Sequence, residues 1–167
     1  MSVMRSAVLA AAYVLAAAVT AAAQPPPPAS AVAAVAKMYQ DFAAEAVMDT
    51  PELSIPDLFS RSKIAMARYL DDPLIALVMA DRECSRRKSE VCHLDFAPIW
   101  DSQDMVGVTV KIAPGKGSDR VRVDLTFPTK EVRTLTYVMT NTAAGWRVHD
   151  IEYSSHESLL KMLKATP

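Results

Sequence analysis

Glycine is scarce in this chain of 167 residues: there are four, Gly107, Gly115, Gly117 and Gly145. No glycine-rich phosphate loop can be assembled from them, and the last three fall in expected turns, where a positive φ is useful. Cysteine is scarcer still, with Cys84 and Cys92 alone. A charge excess of one sign is also missing. The 18 Lys and Arg nearly balance the 19 Asp and Glu, leaving a net charge of −1. Without a basic run or a Lys/Arg stripe, nothing supports a nucleic-acid partner. The 3 histidines, His93, His149 and His156, stand apart from one another. There is no serine nucleophile motif, no zinc signature and no calcium loop, so the residues supply no catalytic set, no metal site and no cofactor.

What is present is apolar. Hydrophobic residues make up 51% of the chain, enough for a sizeable core in one domain of this length. Part of that total lies at the N-terminus. Arg5 supplies a positive start, Ala7 to Val19 is a near-continuous uncharged apolar run, and Ala21-Ala22-Ala23 supplies small residues for cleavage. Residues 1–23 are therefore expected to be a cleaved export signal. The run is short of the roughly 20 residues of a membrane span, and no basic flank follows it. Export implies a periplasmic location. The first cysteine, Cys84, lies far beyond the run, so a lipoprotein is not expected, and neither is a stable membrane anchor after cleavage. In an exported chain an even pair of cysteines reads as a disulfide, Cys84 to Cys92. A metal site built with His93 would need a fourth ligand and fits no standard spacing. A catalytic thiol would need an activating neighbour that the sequence does not place.

Residues 24–29, with Pro25-Pro26-Pro27-Pro28, read as an extended spacer, and residues 30–167 as a single α+β domain. Ser30 can cap a first helix whose Val35, Met38, Tyr39, Phe42 and Ala46 form one apolar stripe, ending near Met48. A second helical stretch is expected from Ser54 to Leu70, burying Leu58, Ile64, Ala67 and Leu70. Asp72 and Pro73 open a third, with Leu74, Leu77, Val78 and Asp81 on one face. The charged run from Asp81 to Glu90 reads as a solvated helix end and loop. The stretch from Leu94 to Asp104 mixes large apolar residues with acids around Pro98. Asp101 and Asp104 read there as caps or turn formers.

Four antiparallel strands then follow at hairpin spacing. Val106 to Ile112 and Val121 to Phe127 alternate apolar and polar residues, as do Leu135, Tyr137 and Met139 with their neighbours. The first two strands read as half-buried with one wet face. In the fourth, Gly145 to Tyr153, the apolar residues change face near Asp150, which implies a bulge or a strand covered on both sides. Asp150 among apolar neighbours must be paired, hydrated or protonated. A short amphipathic helix with Leu159, Leu160 and Leu163 closes the chain, with Ser155 or Ser158 as its cap.

The helix-then-sheet order resembles the cone-shaped nuclear-transport-factor-2-like fold, which implies N-terminal helices on a curved sheet with a pocket between them. The run Leu94-Asp95-Phe96-Ala97-Pro98-Ile99-Trp100-Asp101-Ser102-Gln103-Asp104 is similar to a loop of the bacterial envelope family called domain of unknown function 3828. The run Gly145-Trp146-Arg147-Val148-His149-Asp150-Ile151-Glu152-Tyr153, with Glu157-Ser158-Leu159-Leu160, resembles that family's closing strand and terminal helix. Ala97 stands where the family has an Asp, which weakens any acid-pair role for the loop. The resemblance implies fold and envelope location and assigns no activity.

The expectation is thus an exported binding module without catalytic residues, taking an unidentified small molecule or envelope protein. Its candidate ligand-binding residues are Tyr39, Asp95, Trp100, Tyr137, Trp146, Asp150 and Tyr153. An isomerase- or hydrolase-type enzyme using Asp95 or Asp150 as base is one alternative. An immunity or inhibitor protein against an envelope-directed enzyme is another. Arg120, Arg122 and Arg133 could form a charged face. A homodimer could form through Thr134, Thr136 and Val138.

Overall fold

The computed structural model describes residues 29–47 and 57–165. The expected signal, nearly all of the proline spacer and the expected start of the second helix lie outside these residues. The architecture is α+β, with N-terminal helices packed on a four-stranded antiparallel sheet and a short C-terminal helix. The strands β1 (Thr109–Pro114), β2 (Arg120–Thr126), β3 (Val132–Thr142) and β4 (Gly145–Tyr153) follow each other as a meander in the order β1-β2-β3-β4. One face is apolar. Val121 and Val123 on β2 oppose Tyr137 and Leu135 on β3, and all four are fully buried. The other face carries Lys111, Arg122, Asp124, Thr134, Thr136 and Glu152, as strict alternation requires.

The expected change of face in β4 is a bulge. Val138 pairs with Asp150 while Met139 pairs with Val148, so His149 is the extra residue. The insertion brings Trp146 and Val148 onto the same side as Ile151 and Tyr153, and the strand's apolar residues all meet the core. Asp150 is left on the opposite side, 9% exposed and paired. Its Oδ1 accepts the backbone N–H groups of Ile151 and Leu160, each at 2.8 Å. β4 is also sheltered along its outer edge. Val148 N–H donates to the Tyr69 carbonyl at 2.7 Å, and Asp71 N–H donates to the Val148 carbonyl at 2.9 Å.

Helix α1 (Ala31–Phe42) crosses the apolar face, capped by the Ser30 side chain, and continues as a 3₁₀ turn to Ala46. Its stripe Val35, Met38, Tyr39 and Phe42 is buried as the spacing predicts. The second helical stretch is shorter and broken. A 3₁₀ turn, Leu58–Ser60, is capped by Asp57, and α2 (Lys63–Met66) is capped afresh by Ser62. Two caps within one stretch end the first turn before a continuous helix can form. The break rotates the buried set, so Ile64 is 84% exposed and Ala67 is exposed, while Phe59 and Met66 are buried instead.

Helix α3 (Asp72–Lys88) starts one residue from where Asp72 was expected to cap it. Asp71 is the cap, accepting Leu74 N–H at 3.0 Å, which puts Pro73 inside the first turn. The helix runs through most of the charged segment, and the Cys84–Cys92 disulfide ties its last turns to the following loop. That loop holds His93 against buried Asp81, whose Oδ1 accepts the His93 backbone N–H at 2.9 Å. Helix α4 (Leu159–Lys164) is capped by Ser158 and buries Leu159 and Leu163. Among the glycines, Gly145 takes φ 97° in the β3–β4 turn, but Gly115 is required by proximity. A Cβ there would lie 3.0 Å from the Arg120 backbone carbonyl.

Candidate functional site

The chain's own loop, Ala97 to Asp101, is packed into the core against α1 and β4, beside the direct contact of α1 with the sheet. Ile99 and Trp100 are each 1% exposed. A turn this deep must satisfy its backbone carbonyls without water, and tyrosines on two other elements do so. Tyr39 on α1 donates its hydroxyl to the Ile99 carbonyl at 2.5 Å. Tyr153 on β4 donates to the Pro98 carbonyl at 3.1 Å. Because the Tyr39 proton is committed to Ile99, Tyr137 must be the donor in the 2.8 Å contact between the two hydroxyls. The Tyr39 ring meets Trp100 edge-on at 5.2 Å and Tyr137 at 6.1 Å, arrangements worth about 0.5–1.5 kcal/mol each beyond burial. Burial pushes all three phenols above their ordinary pKa, and the nearby Asp101 carboxyl adds to the effect.

The loop closes on itself. Ala97 N–H donates to the Ser102 carbonyl at 2.9 Å, and Trp100 N–H to the Ala97 carbonyl at 3.0 Å. Asp101, at φ 50°, ends the turn with its carboxyl inward. Its Oδ1 meets His156 Nε2 at 2.7 Å, and its carbonyl accepts from Arg133. Its Oδ2 is buried without a partner. The other buried oxygen in that condition, among the described residues, is Glu45 Oε1. Glu45 Oε2 accepts the Trp100 indole N–H at 2.6 Å. Burial pushes the Glu45 carboxyl up to about 7, against the lowering effect of the Trp100 bond, with Asp57 raising it further and Arg61 lowering it. Both unpartnered oxygens therefore border the same turn.

Of the residues singled out from sequence, Tyr39, Trp100, Tyr137 and Tyr153 converge on this loop. Asp150 lies three residues before Tyr153 on the other side of the strand, with its Oδ1 committed to backbone amides. Trp146 is half-buried at the far end of β4, opposite Asn141. Asp95 is exposed. The arginines do not make one face. Arg120 and Arg122 lie on the polar side, paired with Glu152 and Asp124, whereas Arg133 lies on the apolar side over the Phe127 ring.

Glu45, Asp101 and His156 carry the electrostatics of the site, and sequence reasoning passed over them as a group. Asp101 read as a turn former, and it does end a turn, but its side chain faces inward. Each of the three histidines meets a buried aspartate: His93 with Asp81 at 2.8 Å, His149 with Asp71 at 2.6 Å and His156 with Asp101 at 2.7 Å. All three fix a loop or helix start. A buried aspartate paired with a distant histidine has no local spacing to reveal it. Among the described residues, no three His, Cys, Asp or Glu side chains gather to hold a metal ion, and no helix is long and apolar enough to cross a membrane.

No protein-family model matches the chain, and no curated protein matches it. The resemblance to domain of unknown function 3828 rests on the quoted residues alone. Among solved structures, a phospholipid-binding protein from Ralstonia solanacearum, determined with a phospholipid, is similar over 81% of this chain and 84% of that one, with 18% identity and a TM-score of 0.46. A likeness of that degree carries no function across.

Proposed function

We propose that the protein is a non-catalytic binding module of the bacterial envelope, exported through its N-terminal signal. One observation carries this reading: the interior polar groups hold the chain's own loop and are not arranged for proton transfer. The Tyr39 and Tyr153 hydroxyls are committed to carbonyls, and that of Tyr137 to the Tyr39 oxygen. Asp150, a carboxyl that an enzyme reading would use, places Oδ1 on two backbone amides, and Asp95 is exposed. A general base needs a free lone pair facing a substrate. Glu45 is the carboxyl that favours a second, acid–base reading, because burial lifts it to about 7.

The test is capture from a periplasmic extract on the immobilised mature protein, with mass spectrometry of retained proteins and of solvent-extracted small molecules. A specific protein or small-molecule partner is expected, and its capture should survive Glu45→Gln. Recovery of neither, together with turnover of an envelope substrate that Glu45→Gln abolishes, would replace the binding module with the enzyme.

A further inference from the structure

We infer that the turn Ala97–Asp101 is a displaceable plug, occupying with its own carbonyls and apolar side chains a site that accepts a neutral acyl ester. This deepens the binding-module reading and rests on it. The first support is what the turn presents to its surroundings. Two successive carbonyls, of Pro98 and Ile99, accept hydroxyls from β4 and α1, and Ile99 and Trp100 fill the apolar space beside them. Whatever replaced the turn would have to supply acceptor oxygens on an apolar body, because a buried hydroxyl left without a partner costs about 1–3 kcal/mol.

The second support is that the closed arrangement is incompletely satisfied, and only there. Asp101 Oδ2 and Glu45 Oε1 are the buried side-chain atoms without partners among the described residues. Asp101 is 5% exposed, and Glu45 holds the Trp100 indole. Unpartnered buried groups are rare enough in native structures that two around one turn call for a reason. Swinging the turn outward would return Asp101 Oδ2 to water and free Glu45 from the Trp100 indole, leaving it to face the vacated space. The Ala97–Ser102 bond across its mouth lets it move as a unit.

The third support selects the ligand. A free fatty acid would bring its carboxylate next to Glu45, which stays on the 3₁₀ turn after α1 when the plug leaves, and like charges repel. An ester supplies the carbonyl acceptor without the charge. A glyceride and a phospholipid share that chemistry.

The experiment follows the Trp100 indole in the full mature protein, with Trp100→Phe identifying its share of the emission. The probes are dioctanoylglycerol, dioctanoyl phosphatidylcholine, the dioctyl ether of glycerol, which lacks the carbonyls, and octanoate. Binding is measured separately by native mass spectrometry. An ester is expected to red-shift the Trp100 emission and at least double its quenching by acrylamide. The ether and octanoate should bind at least tenfold more weakly. Tyr39→Phe and Tyr153→Phe, checked for folding by circular dichroism, should each erase the preference of ester over ether. Preference for the glyceride or for phosphatidylcholine supports the plug and names the source. Equal binding of ester and ether, binding that leaves Trp100 unmoved, or no binding of any probe overturns it. The capture experiment then decides separately whether the binding module stands.

Discussion

Tyr39 and Tyr137 share a hydrogen bond on unequal terms. Tyr39 both donates to Ile99 and accepts from Tyr137, whereas Tyr137 only donates. Removing the Tyr39 hydroxyl leaves a buried carbonyl and a buried hydroxyl without partners; removing the Tyr137 hydroxyl leaves Tyr39 still bonded to Ile99. Urea denaturation should therefore show Tyr39→Phe destabilised by about 1–3 kcal/mol and Tyr137→Phe by about 0.5–1.5 kcal/mol. Glu45 gives a pH effect of known sign. Its carboxyl is lifted from 4.5 to about 7 in the folded chain, chiefly by burial. The folded state thus holds more protons than the unfolded state between those values. The associated stability is present at low pH and is lost as pH rises through about 7. Glu45→Gln keeps an acceptor for the Trp100 indole and should flatten that part of the melting-temperature profile. A profile as steep as wild type between pH 5 and 8 would show that Glu45 is not the group responsible. At this scale Tyr39 was legible because a stripe at helical spacing predicts burial, and Tyr137 because strand alternation does. Their hydroxyl partners were not, because Tyr39 meets a carbonyl 60 residues away.

Elements were legible where one pattern dominated and misread where two competed. Ser30 before an apolar stripe gave α1, and alternation gave β2 and β3. The second helical stretch failed because Asp57 and Ser62 each cap a turn, splitting a period that apolar spacing alone treats as continuous. At α3 two adjacent aspartates compete for the cap, and geometry selects Asp71, which also holds His149. Thermal or urea unfolding should register the difference. Asp71→Ala should cost about 1–2 kcal/mol, and Asp72→Ala about 0.5 kcal/mol or less. The disulfide acts on an element it does not belong to. It ends the loop where His93 begins, and His93 Nε2 lies 3.1 Å from the Ala165 carbonyl at the end of α4. Reduction should lower the unfolding free energy by about 2–3 kcal/mol. Amide exchange should then rise in α4 before it rises in β2 and β3. Equal acceleration across the sheet would mean that the bridge acts only on the unfolded chain.

At the scale of the molecule, the helix-then-meander order was readable because each strand is bounded by its own turn. The burial of the Ala97–Asp101 loop was not, since nothing local distinguishes a loop that runs over the core from one that packs into it. The polar face of the sheet bears on assembly. Thr134, Thr136 and Val138 are flanked there by the Arg120–Glu152 and Arg122–Asp124 pairs, and charged residues are depleted at the cores of stable interfaces. Light scattering at high concentration should give a monomer; a dimer abolished by Thr136→Arg would show that the face does associate. The bulge has a further consequence for how the chain tolerates change. A one-residue deletion in a strand ordinarily turns every side chain beyond it inside out. His149 is the exception in β4, because Val148 and Asp150 already oppose consecutive residues of β3. Excising it would close the ladder with each remaining pair still facing its partner. The chain therefore carries, in the strand that completes its core, one position at which length itself can vary while inside and outside are kept.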